Sequence, residues 1–121
     1  MLRKEINWID YNGNERTETF YFNLSKAELV ELQLRANGNF EEYINRLIQS
    51  QNMKEIAETI KDIIKLSYGE KSLDGRSFQK SEEITNNFLS TEAYSILFME
   101  LITDAGKAAD FINGIIPKET K

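Results

Sequence analysis

The sequence predicts an α+β domain, mostly α, with an N-terminal β-hairpin followed by about six helices. Three observations carry this. Residues 1–23 alternate apolar and polar side chains about an Asn-Gly turn. Most of the rest repeats its apolar residues at i, i+3, i+4 and i+7. The lone proline, Pro117, lies at the far end, so no proline interrupts the helical stretches before it. A length of 121 residues suits a single domain over 1–121, with the hairpin at 1–23 and helices over 25–68 and 81–116. A loop or short hairpin is expected over 69–80.

In the first strand run the apolar residues are Ile6, Trp8 and, less regularly, Ile9 and Tyr11. Asn12-Gly13-Asn14 follows, and both residue types tolerate positive φ. The second run sets Thr17, Thr19 and Tyr21 on one face and Phe20 and Phe22 on the other. An isolated hairpin is marginal in water, so this one must pack on helices or join further strands.

Ser25-Lys26-Ala27-Glu28 then forms a capping box, with Leu24 and Leu29 where a hydrophobic staple would sit. The helix it opens should end at Asn37-Gly38. A second starts at Asn39 and carries the stripe Phe40, Tyr43, Ile44, Leu47 and Ile48. A third starts at Asn52, with Glu55 three residues on, carries Met53, Ile56, Ala57, Ile60, Ile63 and Ile64, and ends at Tyr68-Gly69. Residues 70–80 break the helical period. They hold the turn Leu73-Asp74-Gly75-Arg76, and a second short hairpin is expected around 71–80.

A fourth helix runs from Ser81 to about Leu89, with Glu82 and Glu83 in its first turn, where the helix dipole favours them. The fifth starts near Ser90-Thr91 and presents Tyr94, Leu97, Phe98, Leu101 and Ile102. Asp104 caps the sixth, whose stripe is Ala108, Phe111, Ile112, Ile115 and Ile116 before Pro117. Its small residues Ala105, Gly106, Ala108 and Ala109 would let it approach a neighbour closely.

The composition excludes much chemistry. Cysteine and histidine counts are both zero. That removes zinc sites of the usual kinds, Ser-His-Asp triads and Cys-His dyads. A net charge of −5 argues against a nucleic-acid binder that works by neutralising phosphates. No GxGxxG or GxxxxGK[ST] loop is present. The best uncharged, mostly apolar run, Ala93–Met99, is far short of a membrane span. The N-terminus lacks the apolar core of a secretory signal, so a reducing cytosol is the expected compartment. Asp74-Gly75-Arg76 is the one motif with a catalytic flavour, and the plainer reading is a turn in which Asp74 bonds its own backbone. Calcium through Asp74 and Glu70 lacks EF-hand spacing. The expectation is therefore no catalytic, cofactor-binding or metal residue.

Partner-binding candidates are apolar. Phe111, Ile112, Ile115 and Ile116 crowd the last two turns of the final helix, where they are either docked core or a face that a client helix covers. Trp8 is either core or an exposed anchor on the hairpin.

The second half resembles a known family. Tyr68-Gly69 with Lys71, Asp74-Gly75-Arg76 with Phe78, Lys80-Ser81 with Glu83, and Thr91-Glu92-Ala93-Tyr94 come in order. Phe98 to Leu101, Thr103-Asp104-Ala105 and Phe111-Ile112-Asn113-Gly114 follow before Pro117. In these residues the chain resembles the tail assembly chaperones of long, flexible-tailed phages of Gram-positive bacteria. Residues 1–67 carry no such motif, and only their plan is compatible.

The resemblance implies a non-enzymatic protein that binds the tape measure protein and keeps it soluble while tail tube protein polymerises around it. It implies action in the host cytoplasm and absence from the mature virion. It also implies two forms related by a ribosomal frameshift, and an end at Glu119-Thr120-Lys121 fits the shorter one. Several copies on a long client imply self-association, with neither nucleic acid nor membrane as partner. Two other readings stay open. One is a permanent head–tail or tail component; the other is a small phage enzyme or inhibitor using Asp74 and Arg76.

Overall fold

Strict alternation organises the first two strands. β1 (Leu2–Ile9) and β2 (Glu15–Phe22) pair antiparallel, from Leu2 opposite Phe22 to Ile9 opposite Glu15. Side chains on a strand change face at every residue. Ile6, Trp8, Phe20 and Phe22 are therefore buried on one face, while Glu5, Asn7, Thr17 and Thr19 remain exposed on the other. The turn closes as the sequence suggests. Asp10 Oδ1 accepts from the backbone N–H of Asn12 and of Asn14, each at 2.9 Å, and Gly13 takes φ +82°. Tyr11 and Ile9, at its margin, are exposed.

The computed structural model describes residues 1–36 and 40–117, with the backbone alone for 35, 36, 40, 41, 43, 47 and 48. Asn37-Gly38 and the expected cap Asn39 lie outside the described residues. So do the side chains of Phe40, Tyr43, Leu47 and Ile48, and the chain end Glu119-Thr120-Lys121.

Six helices follow among the described residues: α1 (Lys26–Ala36), α2 (Phe40–Ser50), α3 (Met53–Ser67), α4 (Glu82–Leu89), α5 (Glu92–Thr103) and α6 (Ala105–Ile115). Their starts are chemical. The capping box forms in both directions: Ser25 Oγ accepts from Glu28 N at 3.2 Å, and Glu28 Oε1 accepts from Ser25 N at 2.8 Å. Asn52, Ser81, Thr91 and Asp104 each accept a backbone N–H three residues on.

The expectation of a hairpin plus a separate short hairpin near 71–80 is corrected. β3 (Tyr68–Lys71) begins directly after α3 and pairs antiparallel with β2, setting Tyr21 opposite Gly69 and Phe22 opposite Tyr68. β4 (Phe78–Gln79) pairs with β3, and the four strands form one antiparallel sheet in the order β1-β2-β3-β4. Tyr68 ends the third helix as expected, its N–H bonding Ile64 O as the C-cap, and is at the same time the first residue of a strand. The reason is tertiary: β2 offers a free edge, and the Tyr68 ring gains a stacked contact with Phe88 at 4.2 Å between centroids.

Sheet and helices share one apolar cluster. Phe22 is central to it, with ring centroids 5.1 Å from Phe111, 5.5 Å from Tyr68 and 5.8 Å from Phe88. Ile64, Leu97, Leu24 and Ile115 are fully buried beside it. Ser67 is equally buried, and its hydroxyl donates to Ile63 O at 2.7 Å. Lys4 reaches from the sheet to Glu100 of α5 at 3.4 Å, at a half-buried rim. Of the small residues of α6, Ala108 is buried in the core, whereas Ala105, Gly106 and Ala109 are exposed, and a second close approach lies further on. That approach is at Gly114, where a Cβ would stand 2.8 Å from Leu2 Cδ1.

Candidate protein-binding surface

The structure buries the apolar end of the last helix in the single chain. Phe111, Ile112 and Ile115 retain 3%, 6% and 0% of their accessible surface, and Ile116 is half-buried against the core. A backbone bond from Leu24 N to Ile115 O, 2.9 Å long, fastens the same turn. These four residues lie together as core packing, not as a standing patch. Trp8 is likewise 8% exposed, its ring tilted against Phe20 at 5.5 Å. An apolar stripe looks the same in sequence whether its cover comes from the chain itself or from a partner. Here the sheet and α5 supply the cover.

The motif residues of the second half serve the fold. Asp74 Oδ1 accepts from Ser72 Oγ at 2.7 Å and from Arg76 N at 3.0 Å, closing a turn in which Gly75 has φ +74°. Bonds from the Arg76 backbone and the Ser72 hydroxyl hold the Asp74 carboxyl below its ordinary range, as expected of a turn acceptor. Gly69 has no room for a side chain: a Cβ there would meet the Phe78 ring at 2.7 Å and Gln79 O at 2.8 Å. Lys80 donates to the carbonyls of Asn23 and Leu66, each at 2.7 Å, and to the Glu28 carboxylate. Tyr68 has its hydroxyl pushed up to about 12, first by burial and then by the charges of Glu70 and Glu18. No group of acidic residues among those described is arranged to hold a metal ion.

Apolar groups do stand on the surface elsewhere. α1 turns Leu29 and Leu32 toward the core and leaves Ala27, Val30 and Leu34 outside. The last two are 52% and 73% exposed. The i, i+3, i+7 spacing puts them on one stripe. α5 buries Ala93, Leu97 and Leu101 and exposes Ile96 and Met99, one turn apart on its opposite side. Sequence periodicity missed both strips: on α1 it pointed only to the staple residue Leu29, and on α5 the stripe through Leu97 and Leu101 overshadows Ile96 and Met99. The clue was present: Val30 and Leu34 do not fit the stripe that Leu29 and Leu32 define.

No helix among the described residues is long and apolar enough to cross a membrane. A family model described as phage tail assembly chaperone matches residues 1–121, the whole chain. The chain belongs to the phage tail assembly chaperone family. The match takes in residues 1–67, which carry no recognisable motif, as well as Tyr68–Pro117. No curated protein and no solved structure matches the chain. Its family role is phage tail assembly, and proteins of the phage tail are the partners that role implies. For a tail assembly chaperone, exposed helical strips are the natural place to seek a partner contact.

Proposed function

We propose that this protein binds the tape measure protein and keeps it soluble while the tail tube assembles, with no enzymatic step. The observation that carries the reading is the outward stripe of α1, Ala27, Val30 and Leu34, beside a core that is already filled. An amphipathic client helix recognises such a stripe through its own i, i+3 and i+7 anchors. Each aliphatic side chain covered contributes about 1.5–3 kcal/mol, so a few contacts hold a client and still release it. The net charge of −5 keeps loaded complexes apart. The reading assigns the contact to this standing surface. A client would reach Phe111, Ile112, Ile115, Ile116 or Trp8 only if α6 or the hairpin left the core. Several copies act along one client, in the host cytoplasm, and leave before the virion matures. Contact with the tail tube protein occurs at that handover.

Co-expression with the tape measure protein tests this. The wild-type chain should raise the soluble fraction of the client, and Val30→Ser with Leu34→Ser should abolish the gain with helicity unchanged. A client that stays insoluble beside the wild-type chain would refute the reading. A fully active double variant would refute the assignment to α1. Mass spectrometry of mature particles separates a chaperone, which is absent, from a permanent component.

A further inference from the structure

β1 is the outer strand of the sheet, and its far edge is open. Asp10 N donates to Asn14 O at 2.9 Å, so these two residues form a hydrogen-bonded pair. Antiparallel pairs alternate between bonded and non-bonded. With Ile9 opposite Glu15, the alternation turns the backbone groups of Leu2, Lys4, Ile6 and Trp8 toward β2 and those of Arg3, Glu5, Asn7 and Ile9 away from it. Among the described residues no strand pairs with that side, and the outward N–H and C=O groups find no backbone partner.

The charges on this strand are unused as well. Arg3 and Glu5 are exposed on the solvent face of the sheet, two residues apart, and neither forms an ion pair among the described residues. Charged edges ordinarily discourage strand pairing. Here the two charges are opposite in sign, so the strand is complementary to its own reverse.

A separate feature lies along the same edge. Glu92 stands at the Tyr11 hydroxyl and Glu100 at the Lys4 ammonium, so α5 runs antiparallel beneath β1. Residues 92, 96 and 100 fall on one row of the helix. Ile96 is therefore set along the strand, with Met99 beside it, and the two are 43% and 51% exposed. The open backbone edge and an uncovered apolar flank thus run side by side.

We infer that β1 pairs antiparallel with β1 of a second copy of this chain, joining the two sheets into one across a two-fold axis. Such a joint is self-complementary by symmetry. The register sets Arg3 of each copy opposite Glu5 of the other, and these pairs exchange the outward N–H and C=O groups. Lys4 then lies at the axis, each ammonium held by its own Glu100. The same axis brings the Ile96 and Met99 flank of one α5 toward that of the other. An unrelated strand would satisfy the backbone edge alone, whereas a second copy also answers the charges and the apolar flank. The inference uses neither α1 nor the tape measure reading.

Sedimentation velocity of the full-length chain over a concentration series should show a reversible monomer–dimer equilibrium. Arg3→Glu and Glu5→Arg each set like charges opposite one another twice across the joint, and each should weaken the dimer by about tenfold or more. Mixed in equal amounts, the two variants set opposite charges together again and should recover the dimer. Both positions are exposed, and circular dichroism checks that each variant folds. Hydrogen exchange on the wild-type chain tests the joint without any substitution. The amides of Arg3 and Glu5 should exchange more slowly as concentration rises, while that of Ile9, beyond the overlap, should not change. A chain that stays monomeric at millimolar concentration, a dimer that both folded variants retain, a mixture that stays monomeric, or exchange at Arg3 and Glu5 that ignores concentration would each overturn the inference.

Discussion

The Lys80 ammonium lies 2.7 Å from the Glu28 carboxylate, joining the segment after β4 to the first turn of α1 across more than fifty residues of sequence. The same ammonium donates to Asn23 O and Leu66 O. One cation therefore ties together the end of β2, the start of α1 and the last turn of α3. Glu28 meanwhile caps its own helix through Ser25 N. The arrangement gives the Lys80-Ser81 motif a structural purpose: the lysine closes the seam between the two halves of the chain, and the serine starts α4.

Replacing Lys80 should cost more than an ordinary surface ion pair. Both partners are half-buried, and two carbonyls lose a charged donor along with the carboxylate. Lys80→Met is expected to lower stability by about 1.5–3 kcal/mol, the range for hydrogen bonds to charged groups, as a reduced urea midpoint. Glu28→Gln keeps an acceptor for Ser25 N and should cost less.

The same pair gives the protein an acid-sensitive seam. Burial acts to raise the Glu28 pKa, but hydrogen bonds from Lys80 and Ser25, with the lysine charge, outweigh it and hold the carboxyl below its usual 4.5. A depressed folded pKa contributes stability that is fully present above the unfolded value and is lost as pH falls through the folded one. The urea midpoint should therefore decline as pH drops below about 4.5, and decline less steeply in Glu28→Gln. Equal slopes for the two proteins would show that Glu28 is not the group responsible.

Two glycines should respond differently to a methyl group. At Gly69 a Cβ meets the Phe78 ring at 2.7 Å and Gln79 O at 2.8 Å, and the backbone oxygen cannot yield without breaking β3–β4 pairing. Gly69→Ala should destabilise by about 1–3 kcal/mol, the usual cost of overpacking. At Gly114 the nearest atom is the end of the flexible Leu2 side chain, at 2.8 Å. Alanine there gains up to about 1 kcal/mol of helix propensity, so Gly114→Ala should leave the thermal midpoint nearly unchanged.

Asp74→Asn separates turn from catalyst. Asparagine retains the oxygen that accepts from Ser72 Oγ and Arg76 N, so both fold and phage assembly should survive. A well-folded Asp74→Asn protein that fails to support assembly would revive the enzyme reading.

Much of the fold was legible from the chain because its signals are local. Ser25 with Glu28, Asn52, Ser81, Thr91 and Asp104 start helices through bonds that span three residues. Asn12-Gly13-Asn14 makes its turn with Asp10 alone, and alternation in Thr17–Phe22 separates the two faces of β2 without reference to the rest of the molecule. Segment type and start were set by chemistry within a few bonds of each residue.

What lay beyond that reach was decided by packing. Nothing local shows that Tyr68, the cap of α3, also starts a strand; the free edge of β2 and the ring of Phe88 decide it. Nor does periodicity tell which apolar face of α1 or α5 turns inward, or that Phe111 and Ile115 are covered by their own chain while Val30 and Leu34 stand exposed. Burial depends on what the three-dimensional neighbours supply, whereas a turn or a cap depends on residues a few bonds away. The sequence by itself therefore determined the helices and the hairpin, whose signals are local, and only the tertiary structure decided which apolar surface remained open.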